Sequence, residues 1–202
     1  MFKIIKKSAI FASLIWLALF SQKAYAASAE ATAQNILDNF AATATQMSDF
    51  IQIGPHGERT HGTFYLERPG KIRFFYKDAP LNIIADGTSV AINNTRLDSW
   101  DLYNLSQTPM KMLLANSIDL RQGQLAGVTR NGNLVTIILR DRQLGNGSLR
   151  LSFGARDHEL QQWTLIDAQN LPTTVKILNR QKNVGFEKDM FAIPYQDIAM
   201  KR

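Results

Sequence analysis

Three histidines, seventeen Asp and Glu residues and no cysteine are the stock from which acid–base, nucleophilic or metal chemistry would have to be built. His56 and His61 are five residues apart across a turn, His158 is remote, and neither H-x-H nor H-x-x-x-H occurs, so solvated loop histidines fit better than a metal site. No serine stands in a G-x-S-x-G elbow, and the missing thiol removes Cys nucleophiles, thiolate ligands and disulfides together. Asp86, Asp141, Asp157 and Asp167 adjoin turn residues, where a short carboxylate bonds its own backbone more readily than it does acid–base work. No glycine-rich loop cradles a phosphate. The inventory points to a protein that is not an enzyme, with no catalytic residues, no metal and no cofactor.

One charge is oddly placed. Between Thr60 and Arg68 the residues alternate, with Phe64, Leu66 and Arg68 on one face of a strand and Tyr65 and Glu67 on the other. Pro69-Gly70 reverses the chain, and Lys71 to Tyr76 then sets Ile72, Phe74 and Tyr76 together, opposite Lys71, Arg73 and Phe75. Arg68 therefore ends a face that is otherwise apolar. By spacing alone it reads first as a rim arginine, its stem on apolar surface and its head in a surface ion pair of little energetic weight.

The elements around it follow from periodicity. Glu30 to about Thr45 predicts a helix whose apolar stripe is Ala33, Ile36, Leu37, Phe40 and Ala44. From Met47 the period becomes two, giving a short strand with Phe50, Ile51 and Ile53. Leu81–Ala85 and Ser89–Asn93 are hinged on Asp86-Gly87, a strong hairpin signal. Thr108-Pro109 predicts an N-cap and first helical position for a short helix containing Met110, Met112, Leu113 and Leu114, apolar nearly all round and so expected to be covered or covering. Strands resume at Gly123–Arg130, turn on Asn131-Gly132, and continue as Leu134–Arg140, Leu149–Phe153 after Gly145-Asn146-Gly147, Leu160–Asp167, Thr173–Leu178 and a final Met190–Ile193. Ten or eleven strands with short connections and no βαβ spacing predict one mainly-β domain built on a large antiparallel sheet. To cover its apolar face the sheet must curl into a barrel or half-barrel, with the helices over the opening. Such a sheet has room for a ligand cavity, a point that periodicity alone leaves open.

The N-terminus predicts export. Lys3, Lys6 and Lys7 precede an apolar run, Ala9 to Phe20, that is shorter than the ~20 residues a membrane-spanning helix takes, and Ala24-Tyr25-Ala26 offers a small-x-small cleavage site. Residues 1–26 are read as a cleaved signal peptide and 27–202 as a single domain. Removing Lys3, Lys6, Lys7 and Lys23 lowers the net charge from +6 to +2, 19 basic against 17 acidic residues. The remaining cations are scattered among acids and form no stripe, which argues against nucleic acid.

Five segments in order resemble the LolA family of periplasmic outer-membrane lipoprotein carriers. Gly62 to Phe74 resembles its run ending in R-P-G-K-F-R-W/F, Ile84-Ala85-Asp86-Gly87 its apolar strand closing in S/A-D-G, and Thr108-Pro109-Met110 with Leu113-Leu114 its T-P-L/F helix. Trp163 to Asn170 resembles W-x-V-x-D-x-x-G, and Phe191-Ala192-Ile193-Pro194 the closing F-x-F-x-P. With Gly154, Leu160 and Trp163 the pattern is most similar to alphaproteobacterial versions. Ile72 stands where an aromatic is usual, Asn170 replaces a glycine, and Ala91 and Asn93 occupy an often aromatic strand; these departures bear on the shape of the cavity rather than on the fold.

The resemblance implies an unclosed antiparallel β-barrel whose helical lid encloses a hydrophobic cavity for acyl chains. It implies a monomeric periplasmic carrier that takes acylated lipoproteins from an inner-membrane lipoprotein-releasing ABC transporter and delivers them to the outer membrane, where a receptor would be a further partner. The alternative from the same fold is a periplasmic binder or sensor of free lipids or glycolipids. Phe64, Leu66, Ile72, Phe74 and Tyr76 on the sheet, with Ile36, Leu37, Phe40, Met110, Leu113 and Leu114 on the helices, would touch cargo. Arg68 matches the family arginine that fastens the lid.

Overall fold

A computed structural model describes residues 30–120, 124–141 and 147–200. The expected signal peptide, the strand start at Gly123 and the turn residues Gly145 and Asn146 lie outside them. Helix α1 covers 30–41. It is followed by β1 (Thr45–Ile53), β2 (Arg59–Glu67), β3 (Lys71–Tyr76), β4 (Leu81–Asp86), β5 (Ser89–Asn94) and β6 (Ser99–Asn104). A 3₁₀ turn (Leu105–Gln107) and α2 (Met110–Leu113) lead to β7 (Leu125–Asn131), β8 (Leu134–Arg140), β9 (Ser148–Gly154), β10 (Leu160–Ile166), β11 (Pro172–Lys182) and α3 (Tyr195–Met200).

All eleven strands form one antiparallel sheet in the order β6-β5-β4-β3-β2-β1-β11-β10-β9-β8-β7. Its two edges, β6 and β7, are consecutive in sequence, so the connection carrying α2 runs from one edge to the other. The first and last strands pair at the centre of the sheet, β1 against β11, and α1 enters beside that seam. Curling is required by the side chains. Phe74 on β3 and Trp163 on β10 are four strand spacings apart, roughly 19 Å in a flat sheet, yet their ring centroids are 6.3 Å apart. Register shifts at Met47/Asp49, Leu125/Gly127 and Leu160/Gln162 supply local bends.

The inner face and the two helices make one core, which includes Ile36, Leu37, Phe50, Phe64, Ile72, Leu113, Leu114, Leu139, Leu151 and Phe153. A second, small cluster of Ile84, Ala91, Ile193 and Ile198, with Trp100 and Leu102 against it, lies on the outer face.

Four sequence expectations are corrected. The segment Met190–Ile193 is not a strand: residues 188–191 form a turn and 192–194 are irregular, because the segment packs by its side chains onto the outer face and does not join the sheet by hydrogen bonds. The strand missed is β6, whose Trp100 and Leu102 face that second cluster while Asp101 and Tyr103 are exposed; an exposed tyrosine on the polar face blurs an alternation that is only six residues long. The β7–β8 turn is centred one residue later than Asn131-Gly132. Asn131 pairs with Leu134, leaving Gly132 at φ +55° and Asn133 as the loop. Finally, Thr108 does not cap α2; its hydroxyl donates to the Leu105 carbonyl at 3.0 Å, closing the preceding 3₁₀ turn.

Candidate functional site

Strand alternation places the predicted inner residues as expected. Phe64, Leu66, Ile72 and Phe74 are buried, and Tyr76 is half-buried with its hydroxyl donating to Gln52 Oε1 at 2.7 Å. Burial pushes the Tyr76 phenol well up from its ordinary value, with the Gln52 bond opposing, so it stays neutral. The rings interlock edge to face: Phe50 with Phe74 at 5.2 Å and with Tyr76 at 5.1 Å, and Phe64 with Trp163 at 5.5 Å. Phe50, Phe153 and Trp163 were not assigned to the site from the sequence. Trp163 stood within a recognised motif, but which strands it would face depends on the curl.

Both helices press on this surface. Ile36 and Leu37 of α1 and Leu113 and Leu114 at α2 are almost fully buried, and half-buried Phe40 and Met110 pack against the same core. Phe40 meets Phe153 edge-on at 5.8 Å. The interior is therefore filled by the helices' own side chains. Two recesses among the described residues are peripheral. One of about 400 Å³ is lined by Asp49, Arg59, His61, Lys77 and Asp78. Another of about 320 Å³ lies between the end of α1 and the β9–β10 turn, reaching Phe40 and Leu160.

Arg68 is no rim residue. Only 9% exposed, it donates from Nη1 to the carbonyls of Leu113 (2.5 Å) and Ala115 (2.9 Å), while its guanidinium carbon lies 4.2 Å from the centre of the Phe40 ring. The backbone N–H of Gly70 donates to the intervening Leu114 carbonyl at 2.9 Å. The last carbonyls of a helix have no partners within it, and here three in a row are satisfied by one three-residue turn. One cation thus holds α2 by hydrogen bonds and α1 by its ring. Burial lowers the Arg68 pKa to about 10, so the group remains charged at neutral pH. Gly70, at φ +82°, has its missing Cβ position 2.7 Å from the Gly87 Cα. The R-P-G and A-D-G turns therefore touch, and a side chain at Gly70 would push them apart.

Two further ties had no sequence signal. Lys111 of α2 pairs with Asp141 beyond β8 at 2.6 Å, linking the helix to the other half of the sheet. Gln34 of α1 bonds the segment after α2. His56, His61 and His158 are exposed, and His61 Nδ1 lies 2.7 Å from Asp78 Oδ2. No group of three or more His, Asp or Glu that could hold a metal occurs among the described residues.

This arrangement of turn, arginine and crossing helix lies within residues 41–194, which match the family described as "Outer membrane lipoprotein carrier protein LolA". The chain belongs to the LolA family. Solved structures of similar fold include a DUF1329 family protein from Desulfovibrio piger, with TM-score 0.50 and 9% identity over 81% of this chain and 95% of that one. A LolA superfamily protein from Nitrosomonas europaea has TM-score 0.44 and 9% identity over 80% and 98%. A chain of the Pseudomonas aeruginosa MucA/MucB complex has TM-score 0.44 and 12% identity over 84% of this chain, which spans 62% of the length of that one. No curated protein matches the chain in sequence. The LolA fold is a carrier and binding fold.

Proposed function

We propose that this protein is a periplasmic carrier that shields the acyl chains of lipoproteins released from the inner membrane and delivers them to the outer membrane. Residues 1–26 would export it, an ABC transporter would load it, and an outer-membrane acceptor would empty it. The observation that carries this reading is the fastening of two apolar helices over an apolar sheet face by Arg68, a single charged side chain bonded to Leu113 and Ala115.

The energetics fit such a shuttle. A 16-carbon chain in water costs on the order of 10 kcal/mol, at about 0.8 per CH₂, so a lipoprotein does not leave a bilayer unaided. Here the surface for those chains is the protein's own core, so cargo must displace Ile36, Leu37, Leu113 and Leu114. Affinity is then the gain from burying acyl chains less the loss from exposing helix side chains. Displacing the helices also strips Arg68 of its carbonyls, and each charged bond is worth about 1.5–3 kcal/mol. Re-forming them favours ejection.

The reading is tested by measuring loading and unloading separately, with spheroplasts as donor and an outer-membrane fraction as acceptor. Wild-type protein should leave spheroplasts with acylated proteins bound and yield them to the acceptor. Recovery of free lipids alone would overturn lipoprotein delivery in favour of lipid binding.

A further inference from the structure

Arg68 ties each helix to the sheet, but Gln34 ties the helices' own elements to each other. Its Nε2 donates to the Ile118 carbonyl at 2.7 Å and to Asp38 Oδ1 at 2.8 Å, and its Oε1 accepts from the Leu120 N–H at 3.0 Å. A C=O and an N–H two residues apart, pointing the same way, are what one edge of a β-ladder offers. The carboxamide answers both, as a peptide group of a neighbouring strand would. Ile118 and Leu120 are themselves buried in the same core as Ile36 and Leu37.

The second contact between these elements is at the other end of α1, where Arg68 holds Phe40 and the 113–115 carbonyls together. Residues 34 and 40 are six apart, about 9 Å along a helix axis at 1.5 Å per residue. Two attachments so spaced fix the direction of α1 relative to the 113–120 segment as well as its distance. When cargo breaks the Arg68 bonds, the Gln34 bonds need not break, since neither side of them belongs to the sheet.

We infer that Gln34 is a positioning residue that makes α1 and the 113–120 segment a single lid, opening as one body. This rests on the carrier reading for its purpose but not for its test. In the unloaded protein, amides of α1 and of 110–120 should exchange with solvent through a shared opening and show matching protection. Gln34→Leu keeps the side chain's bulk and removes all three bonds; exchange in 110–120 should then run about tenfold faster than in α1, the loss expected for such bonds. Exchange in β8 stays unchanged and shows that the variant folds. Gln34→Glu, which keeps the acceptor for Leu120 but turns an oxygen toward the Ile118 carbonyl and the Asp38 carboxylate, should uncouple the two segments at least as strongly. Equal exchange in α1 and 110–120 in Gln34→Leu overturns the inference.

Spin labels at the exposed positions Asn35, Ser117 and Lys176 read the motion directly when a synthetic dipalmitoyl lipopeptide is added. The 35–117 distance should hold while 35–176 and 117–176 both lengthen. A 35–117 distance that changes as much as the others overturns the single lid. A lipopeptide that fails to bind overturns the carrier reading instead, and the exchange comparison still decides the role of Gln34.

Discussion

Arg68 and Arg73 lie five residues apart around one hairpin, on opposite faces of the sheet, and each secures a cover by donating to main-chain carbonyls. Inside, Arg68 holds α1 and α2 over a core of many large side chains. Outside, Arg73 lies 4.5 Å from the Phe75 ring and donates to the Met190 carbonyl at 2.9 Å, holding the chain end that carries Phe186, Phe191, Ile193 and α3. That cover continues as edge-to-face rings, Tyr65 with Phe186 at 5.9 Å and Phe186 with Phe191 at 5.4 Å. Both arginines are pushed below their ordinary pKa by burial, Arg73 with Asp189 opposing. The difference is depth and extent. The inner cover lies over a core of many large side chains, while the outer one, which itself carries Ile193 and Ile198, closes over Ile84 and Ala91 with half-buried Trp100 and Leu102 beside them. The same bond type fastens two helices over a large core in one place and serves as a clip over a small one in the other because of what lies beneath it.

The largest expected effect separates the two faces by core energetics. Phe74→Ala should cost about 3–5 kcal/mol, as for a large aromatic removed from a packed interior, whereas Ile193→Ala on the outer cover should cost about 2 kcal/mol or less. Urea midpoints measure both, and equal losses would erase the distinction. Next comes cargo release. Arg68→Leu should still load but unload about tenfold or more slowly, because re-formed charged bonds no longer favour the closed state. Arg73→Leu should load and unload normally while freeing the 184–200 segment to faster hydrogen exchange. A normal release rate for Arg68→Leu would reduce Arg68 to a structural contact. Within the inner region, α1 should exchange faster than β8, since its cover is held by few bonds and the strand by two ladders. Uniform protection would argue for a fixed core.

The smallest effect concerns the outer clip. Burial alone would raise the Asp86 carboxyl, but bonds from Ser89, Tyr195 and Thr88 together outweigh it and hold it below its ordinary 3.8. A carboxyl depressed in the folded state contributes stability that is fully present above the unfolded pKa and is lost as pH falls through the lower folded value. Acid should therefore loosen α3 below about pH 4. Tyr195→Phe, which removes the 2.6 Å bond to Asp86, should cost about 0.5–1 kcal/mol at neutral pH. It should also narrow the stability difference between neutral and acid pH, read from thermal midpoints. An unchanged acid response would show that Tyr195 contributes nothing to the depressed carboxyl.

Much of this molecule is written in local pattern. Alternation about Pro69-Gly70 determined which side chains of β2 and β3 share a face, because a strand's side chains can only alternate and a tight turn preserves their register. The stripe of α1 and the apolar girth of α2 likewise determined that both helices must be covered. What lay beyond the sequence was anything that depends on distance across the curl. Spacing left Arg68 at a rim because nothing in Phe64-x-Leu66-x-Arg68 says that the α2 carbonyls will arrive above it. Gln34 stands off the apolar stripe of α1, and only the fold brings the 118–120 backbone alongside it. Met190–Ile193 read as a strand because apolar residues that pack by side chain onto a sheet resemble residues that join it by hydrogen bonds. Local chemistry set the faces, and only the tertiary structure, by bringing together residues as distant as Asp49 and Asn179, 130 positions apart, decided what would cover each face.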